Sequence, residues 1–351
     1  MSIEPVDALR RIAFLLERQR ESTYRVEAYR EAAAEILPLG EDEVRQRVQA
    51  GTLRDLPGIG ASTSEVIEQA VAGHVPDKLA ELEEKTGGPL VTGGEDLRAT
   101  LRGDLHTHSN WSDGGSPIEE MVASAIELGH DYLALTDHSP RLKIANGLTA
   151  ARLTRQLGVV DAVNAHLGKR FRLLKGIEVD ILDDGTLDQQ PELLSQLDVR
   201  VASVHSKLAM ASPAMTRRML AAVRNPATNI LGHCTGRMVM PRAGDKARGG
   251  KTRPQSTFDA RAVFEACVES STAVEINCRP ERQDPPSDLL ALAIELGCLF
   301  AIDTDAHAPG QLDFLAYGCA RAEEAGVPVE RIVNTWSLEE LLVWANPAAA
   351  S

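Results

Sequence analysis

Apolar positions along the chain follow two rhythms, and the change between them divides it. From about residue 5 to 73 they recur every three or four residues, as in Val6, Leu9, Ile12, Ala13 and Leu16 and again in Tyr29, Ala32, Ala33 and Ile36. That spacing predicts amphipathic helices, with breaks near Ser22 and at Pro38-Leu39-Gly40. After Gly103, short continuous apolar runs alternate with helical stretches, the pattern of βα units whose parallel strands are covered on both faces. Seven such runs end at Leu105-His106, Tyr132 to Leu135, Leu173 to Glu178, Val199 to Val204, Asn229 to Gly232, Val274 to Ile276 and Leu299 to Ile302. Helix starts are signalled by Ser116-Pro117-Ile118-Glu119, Ser212-Pro213 and Ser337-Leu338-Glu339-Glu340. In each, a capping hydroxyl, or a proline just inside the helix, suits the unpaired first-turn donors. A barrel or barrel-like closed sheet is the economical architecture. Gly87-Gly88-Pro89 and Gly93-Gly94 mark the boundary, giving a helical domain over 1–96 and a barrel domain over 97–351. The alanine-rich tail, Ala348 to Ala350, is expected to fray.

Within the helical part, Leu56-Pro57-Gly58-Ile59-Gly60 precedes a helical stretch from Ser62 to Ala72. The form is that of a helix-hairpin-helix, in which the backbone N–H groups of Gly58, Ile59 and Gly60 face a phosphate at the start of the second helix. An ordinary tight turn between helices fits the same residues.

Composition narrows the class. No apolar run approaches the roughly 18 residues that a membrane helix needs, and Met1-Ser2-Ile3-Glu4-Pro5 lacks the features of a signal peptide. A cytoplasmic location is the default expectation. The cysteines, Cys234, Cys267, Cys278, Cys298 and Cys319, show no CxxC spacing and read as reduced, mostly buried thiols. A net charge of −14 argues against a generic polyanion-binding surface, although bound divalent cations would offset part of it.

The candidate chemistry lies at the strand ends, where β/α barrels carry their active sites. His106 and His108, two residues apart, point to the same side of a strand; such a pair alone also suits a polar surface loop. Six of the seven apolar runs, however, lead into ligand-type residues, namely His106 and His108, Asp137-His138, Glu178 with Asp180, His205, His233, and Asp305-Ala306-His307. The remaining run leads to Asn277. With Asp113, the converging set is His106, His108, Asp113, His138, Glu178, His205, His233, Asp305 and His307. Nine mixed imidazole and carboxylate ligands are too many for one ion and suit two or three, of zinc, manganese or iron rather than magnesium or calcium. His74, His130 and His166 fall outside the pattern.

The motifs His106-x-His108, Asp113-Gly114, Thr136-Asp137-His138, Gly176-Ile177-Glu178, Val204-His205, Gly232-His233 and Asp305-Ala306-His307 resemble those of the polymerase and histidinol phosphatase (PHP) superfamily. The resemblance implies an α/β fold, a distorted (β/α)7 TIM-like barrel with a trinuclear metal centre, joined here to an all-α helix-hairpin-helix domain. It assigns one ion to His106, His108, Glu178 and Asp305, a second to Glu178, His205 and His233, and a third to Asp113, His138 and His307. His233-Cys234-Thr235-Gly236-Arg237, Glu275-Ile276-Asn277, Arg279-Pro280 and the stretch from Ile302 through Gly318 are similar to the C-terminal part of bacterial family X DNA polymerases. Residues 5 to 85 resemble their N-terminal helical domain. Where those proteins carry a nucleotidyltransferase palm this chain has a short Gly-rich linker, so polymerase activity is not expected. The hairpin continues as Ala61-Ser62-Thr63, where a lysine or arginine would be expected.

The reading is a metal-dependent phosphoesterase. Lys207, Arg237 and Arg279 lie just beyond ligand-bearing strand ends and are candidates to clamp a phosphate; Asp137 is a candidate to orient an imidazole, and Glu178 to bridge two ions. DNA ends are the expected substrate, in exonuclease, 3′-phosphatase or abasic-site processing in repair. The alternatives are a small-molecule phosphatase acting on histidinol phosphate or a nucleotide, and a non-enzymatic adaptor that binds DNA ends. Oligomeric state has no signature in the sequence.

Overall fold

The structure is a computed structural model that describes residues 3–240 and 252–346; the alanine tail lies outside them. The described residues form two compact units that divide between Leu90 and Val91. The expected boundary at residue 96 falls inside a short helix of the second unit.

The first unit consists of α1 (Pro5–Arg18), α2 (Thr23–Ile36), α3 (Gly40–Ala50), α4 (Ala61–Val71) and α5 (Asp77–Thr86). Its core is the periodic set read from the sequence: Leu9, Ile12, Ala13 and Leu16 of α1 and Tyr29, Ala32, Ala33 and Ile36 of α2 are buried with Val66, Ile67 and Ala70 of α4. Helix α5 extends the unit beyond residue 73, burying Leu79 and Leu82. The buried Glu17 carboxylate accepts two hydrogen bonds from Arg30, at 3.0 and 2.8 Å, joining α1 to α2.

The second unit contains β1 (Gly103–Thr107), β2 (Tyr132–Leu135), β3 (Arg172–Asp180), β4 (Val199–Ser203), β5 (Ile230–Leu231), β6 (Ala273–Asn277) and β7 (Phe300–Asp303). They are parallel and ordered β1 to β7 in space as in sequence. Around them lie α6 (Glu95–Thr100), α7 (Ile118–Glu127), α8 (Ala150–Leu167), α9 (Pro191–Leu194), α10 (Ser212–Val223), α11 (Ala260–Glu269), α12 (Ser287–Leu296), α13 (Leu315–Ala325) and α14 (Leu338–Ala345). The result is a nearly closed barrel. Among the described residues no helix is long and apolar enough to cross a membrane, and the five cysteines are buried without disulfides.

Alternation explains the continuous apolar runs. In β2, Tyr132 and Ala134 join the inner cluster with Val199, Val201 and Ala301, whereas Leu133 and Leu135 pack outward with Met121, Val122 and Val160. Ser337 caps α14 as expected, accepting from Glu340 N while Glu340 Oε2 accepts from Ser337 N. At α7 the expected capping box does not form: the helix starts at Ile118, Pro117 holds the cap position, and Ser116 Oγ is buried without a partner.

Strand β3 is longer than expected and carries Glu178 and Asp180 within it. Its first half pairs with β2 (Lys175 opposite Leu135) and its second half with β4 (Gly176 opposite Val199). The switch occurs at Gly176, where a Cβ would stand 2.7 Å from Leu135 O and 2.8 Å from Thr136 Cγ2.

The β1–β7 seam is closed largely by side chains. Thr107 bridges Ala306, Leu105 N donates to Asp303 Oδ1 at 2.9 Å, and Thr304 N donates to Asp104 Oδ1 at 3.2 Å. Burial pushes the Asp104 carboxyl up to about 7, and burial with the neighbouring Asp104 and Glu275 carboxylates raises Asp303 well above the usual range. Below them, fully buried Asn334 accepts from Ile302 N at 2.7 Å and donates to Ile302 O, Asp303 Oδ1 and Gly103 O. Asn334→Leu strands these groups in the interior and is expected to cost about 3 kcal/mol of stability, read as a lowered urea midpoint; an unchanged midpoint would show that the seam does not depend on this clamp.

Candidate functional site

All nine candidate ligands come together at the C-terminal mouth of the barrel, around Glu178. Its Oε2 lies 3.4 Å from His106 Nε2, 3.6 Å from His108 Nε2 and 2.8 Å from His138 Nδ1. Its Oε1 lies 3.1 Å from His205 Nε2 and 2.9 Å from His233 Nε2. Further out, Asp113 Oδ1 stands 3.3 Å from His138 Nε2 and 3.4 Å from His307 Nε2. Asp305 Oδ1 is 3.5 Å from both His108 Nε2 and His307 Nδ1. Asp305 adopts a left-handed backbone, φ 53°, a costly conformation of the kind retained where the surroundings require it.

Ring orientation is set from behind. His106 Nδ1 meets Glu275 Oε1 at 2.5 Å and His205 Nδ1 meets Asp180 Oδ1 at 3.2 Å, so both rings turn Nε2 toward Glu178. The second oxygen of Glu275 accepts from His233 N. Both His307 Nδ1 and Arg279 Nη1 reach Asp305 O, at 2.8 and 2.9 Å, which leaves His307 Nε2 to face Asp113. Arg282 Nε donates to Asp305 Oδ2 at 3.0 Å. These are the carboxylate and carbonyl contacts that fix imidazole tautomers in metal sites.

The electrostatics follow from this packing. Burial opposes charging of Glu178, but His205, His106 and His138 outweigh it and hold the carboxyl well below its usual range. Burial likewise opposes charging of His138, yet Glu178 and Asp113 raise it to about 10. His108, buried beside His307 and His138, falls to about 3.

The residues fit bound metal ions. Among the described residues, His106 Nε2, His108 Nε2, His138 Nδ1, His205 Nε2 and Glu178 Oε2 are buried without hydrogen-bond partners, an arrangement that is costly unless a cation occupies the space between them. Their donor atoms gather into three sets: His108, Asp113, His138 and His307; His106, His108 and Glu178; and His138, Glu178 and His205.

The other candidates divide. Arg279 is at the site, its Nη1 3.0 Å from His307 Nδ1. Asp137 meets no imidazole; it accepts from Ser109 N, Ser109 Oγ, Ser112 Oγ and Gln156 Nε2, and so ties down the loop that carries Asp113. Arg237 donates to the carbonyls of Arg282 and Gln283, bracing the loop after β6 rather than meeting the cage. Lys207 is exposed and paired with Asp183. His74 and His166 are exposed, and buried His130 meets Arg98. In the first unit, Gly58 is exposed with φ 75°, Ile59 is buried as an anchor, and Gly60 N donates to Thr63 Oγ1 at 2.9 Å.

Glu275 falls outside the sequence-derived set, and Asp180, a ligand-type residue by position, orients His205 instead of joining the cage. The signal for Glu275 is a lone carboxylate inside the apolar strand Ala273-Val274-Glu275-Ile276, and that for Asp180 its place two residues after Glu178 on the same strand.

A β/α barrel with imidazole and carboxylate clusters at its C-terminal mouth is the framework of a metal-dependent hydrolase. Residues 104–278 match the PHP domain and residues 3–76 the helix-hairpin-helix domain. The chain therefore joins a PHP domain to a helix-hairpin-helix domain. It is 38% identical over 241 residues to the DNA polymerase/3′-5′ exonuclease PolX of Bacillus subtilis, an alignment covering 69% of this chain and 40% of that protein. A probable phosphatase of Thermoanaerobacter sp. is 26% identical over 243 residues, covering 66% of this chain and 89% of the relative. A solved structure of histidinol phosphate phosphatase from Lactococcus lactis, complexed with zinc, L-histidinol and phosphate, matches 64% of this chain and 94% of its own at 19% identity and a TM-score of 0.46.

Glu275→Ala frees the His106 ring and is expected to weaken metal binding about 10- to 100-fold, measured by competition against a chelator. Unchanged affinity would show that Glu275 does not set the ring.

Proposed function

We propose that this protein hydrolyses phosphate ester bonds at DNA ends, as a 3′-5′ exonuclease, 3′-phosphatase or abasic-site enzyme of DNA repair, without polymerase activity. The observation that carries the reading is the presence in one chain of a helix-hairpin-helix unit and a PHP barrel. The similarity to the Bacillus exonuclease supports it.

Two or three ions of zinc, manganese or iron suit the donors, and when bound they supply Lewis acidity toward the phosphoryl oxygens and a lowered pKa for the attacking water. His106, His108, Glu178 and Asp305 would hold one, Glu178, His205 and His233 a second, and Asp113, His138 and His307 a third. Arg279 is the fixed cation beside them, placed to bind a phosphoryl oxygen and to favour the charge that develops there. Lys207 would first have to leave Asp183. In the helical unit, the exposed turn at Gly58 and Gly60 before α4 would receive a DNA phosphate, with Gly60 N exchanging Thr63 Oγ1 for it and Ile59 holding the turn in place.

A second reading, a small-molecule phosphatase, has its own support. The concavity at the hairpin is lined by Glu27, Glu31 and Arg25, and Arg25 is paired with Glu21, so the balance of charge there disfavours a phosphate. The probable phosphatase relative is also matched over most of its length.

The two readings separate when manganese- or zinc-loaded full-length protein is given labelled single-stranded and nicked DNA in parallel with histidinol phosphate and an aryl phosphate. Shortening or dephosphorylation of DNA is expected; turnover of the small phosphates alone would overturn the DNA assignment. His106→Ala and Glu178→Ala are expected to abolish turnover and to lower the metal content measured on the purified protein, and full activity in both would remove the cage from the mechanism.

A further inference from the structure

The segment from Ser139 to Leu148 leaves the cage at His138 and returns to it, since Leu148 N donates to His138 O at 2.7 Å. It is a closed loop built on its own hydrogen bonds: Ala145 N and Gly147 N donate to Leu142 O at 3.1 and 3.2 Å, and Asn146 N donates to Lys143 O at 3.1 Å. Asp188 holds its first turn through Ser139 Oγ and Arg141 N. Asn146, at φ 54°, donates from Nδ2 to Trp111 O at 3.2 Å, and Arg152 bonds to both Asn146 O and Trp111 O. The loop is therefore fastened to two ligand-bearing segments, the one ending at His138 and the one leading to Asp113.

This fixed base presents Ile144 with 95% of its surface exposed, between buried Ala145 and exposed Lys143, with exposed Arg141 two residues earlier. Of the acidic groups that face the loop, Asp188 bonds to it, and Asp183 pairs with Lys207 and also feels the charge of Arg141. In a chain of net charge −14, a rigid tip carrying one apolar side chain and two cations at the rim of a phosphoesterase site matches an anionic ligand with flat apolar faces. Single-stranded nucleic acid has that chemistry: apolar side chains lodge against unstacked bases while Lys and Arg follow the phosphates.

We propose that this loop is the strand-gripping element of the barrel, with Ile144 packed on a base near the 3′ end of single-stranded DNA and Lys143 and Arg141 on its phosphodiesters. The proposal rests on the DNA-end reading above. In this role the loop holds the strand beyond the scissile bond and takes no part in bond cleavage, so it favours polymeric substrates over one whose leaving group is a single ring.

The test compares metal-loaded full-length wild type, Ile144→Ala and Lys143→Ala on a 3′-terminal single-stranded oligodeoxynucleotide and on p-nitrophenyl phosphate. Ile144→Ala is expected to lower kcat/KM on the oligonucleotide about tenfold, through KM, and to leave p-nitrophenyl phosphate turnover unchanged. Lys143→Ala is expected to flatten the dependence of log KM on log salt by about 0.7, the share of one phosphate contact. Oligonucleotide turnover equal to wild type in both variants would overturn the loop's role and leave the DNA reading standing. Parallel loss of both activities in Ile144→Ala would make the loop a mere support for His138 and also overturn it. Wild type active only on p-nitrophenyl phosphate would overturn the DNA reading itself, and the loop's role with it.

Discussion

One buried carboxylate, Glu178, faces five imidazoles at the mouth of the barrel, and much of the second unit serves to make that arrangement tolerable. Burying so many polar atoms without partners is unfavourable by several kcal/mol unless cations lie between them, and the framework has to hold them apart against collapse onto one another. Strand β3 supplies the central position. By pairing with β2 over its first half and β4 over its second, it runs past the end of β2 and carries Glu178 in among the imidazoles that follow β1, β2, β4 and β5. Gly176 permits this, because any side chain there would strike the end of β2.

A ring of buried charges outside the cage fixes the rings that face Glu178. Glu275 serves two strands at once, through His106 Nδ1 and His233 N, and Asp180 does the same for His205. Asp305, in a strained backbone, is held by Arg282 and by Asn277 Nδ2. The barrel seam lies directly beneath, where Asp104 and Asp303 replace backbone pairing with side-chain acceptors. Catalytic geometry and barrel closure therefore depend on the same few residues of β1 and β7, and a change at the seam is transmitted to His106 and Asp305 over two residues of chain.

The strands and the ligand set were legible because two independent signals coincide there: apolar runs that need cover on both faces, and ionisable residues that fall where those runs end. What was not legible depends on partners distant in sequence. Glu275 gains its role only when β6 lies across from His106, and Asn334 only when the last turns of the chain fold under the barrel. Arg237 and Lys207 were placed correctly near strand ends, yet a strand end does not determine where a long cation points, and nearby carbonyls and Asp183 took them up. Asp137 sits beside His138 in sequence, but alternation along an extended segment sends neighbouring side chains to opposite sides, so it meets the serines of the β1 loop instead of the imidazole. Helices α5 and α6 lay in stretches whose glycines and short apolar patterns gave little periodicity to read.

The acidic surface and a phosphate substrate are compatible once net charge and local charge are separated. The carboxylates at the site, Asp113, Glu178 and Asp305, face six imidazoles, and buried Arg282 and Arg279 add two fixed positive charges next to Asp305. With divalent ions bound, the mouth would be the most positive region of the barrel, and its low-dielectric walls would focus that field outward. The negative surface elsewhere lowers affinity for phosphate backbones in general. For a phosphate ester substrate, attraction to the mouth would then act against repulsion from the rest of the surface.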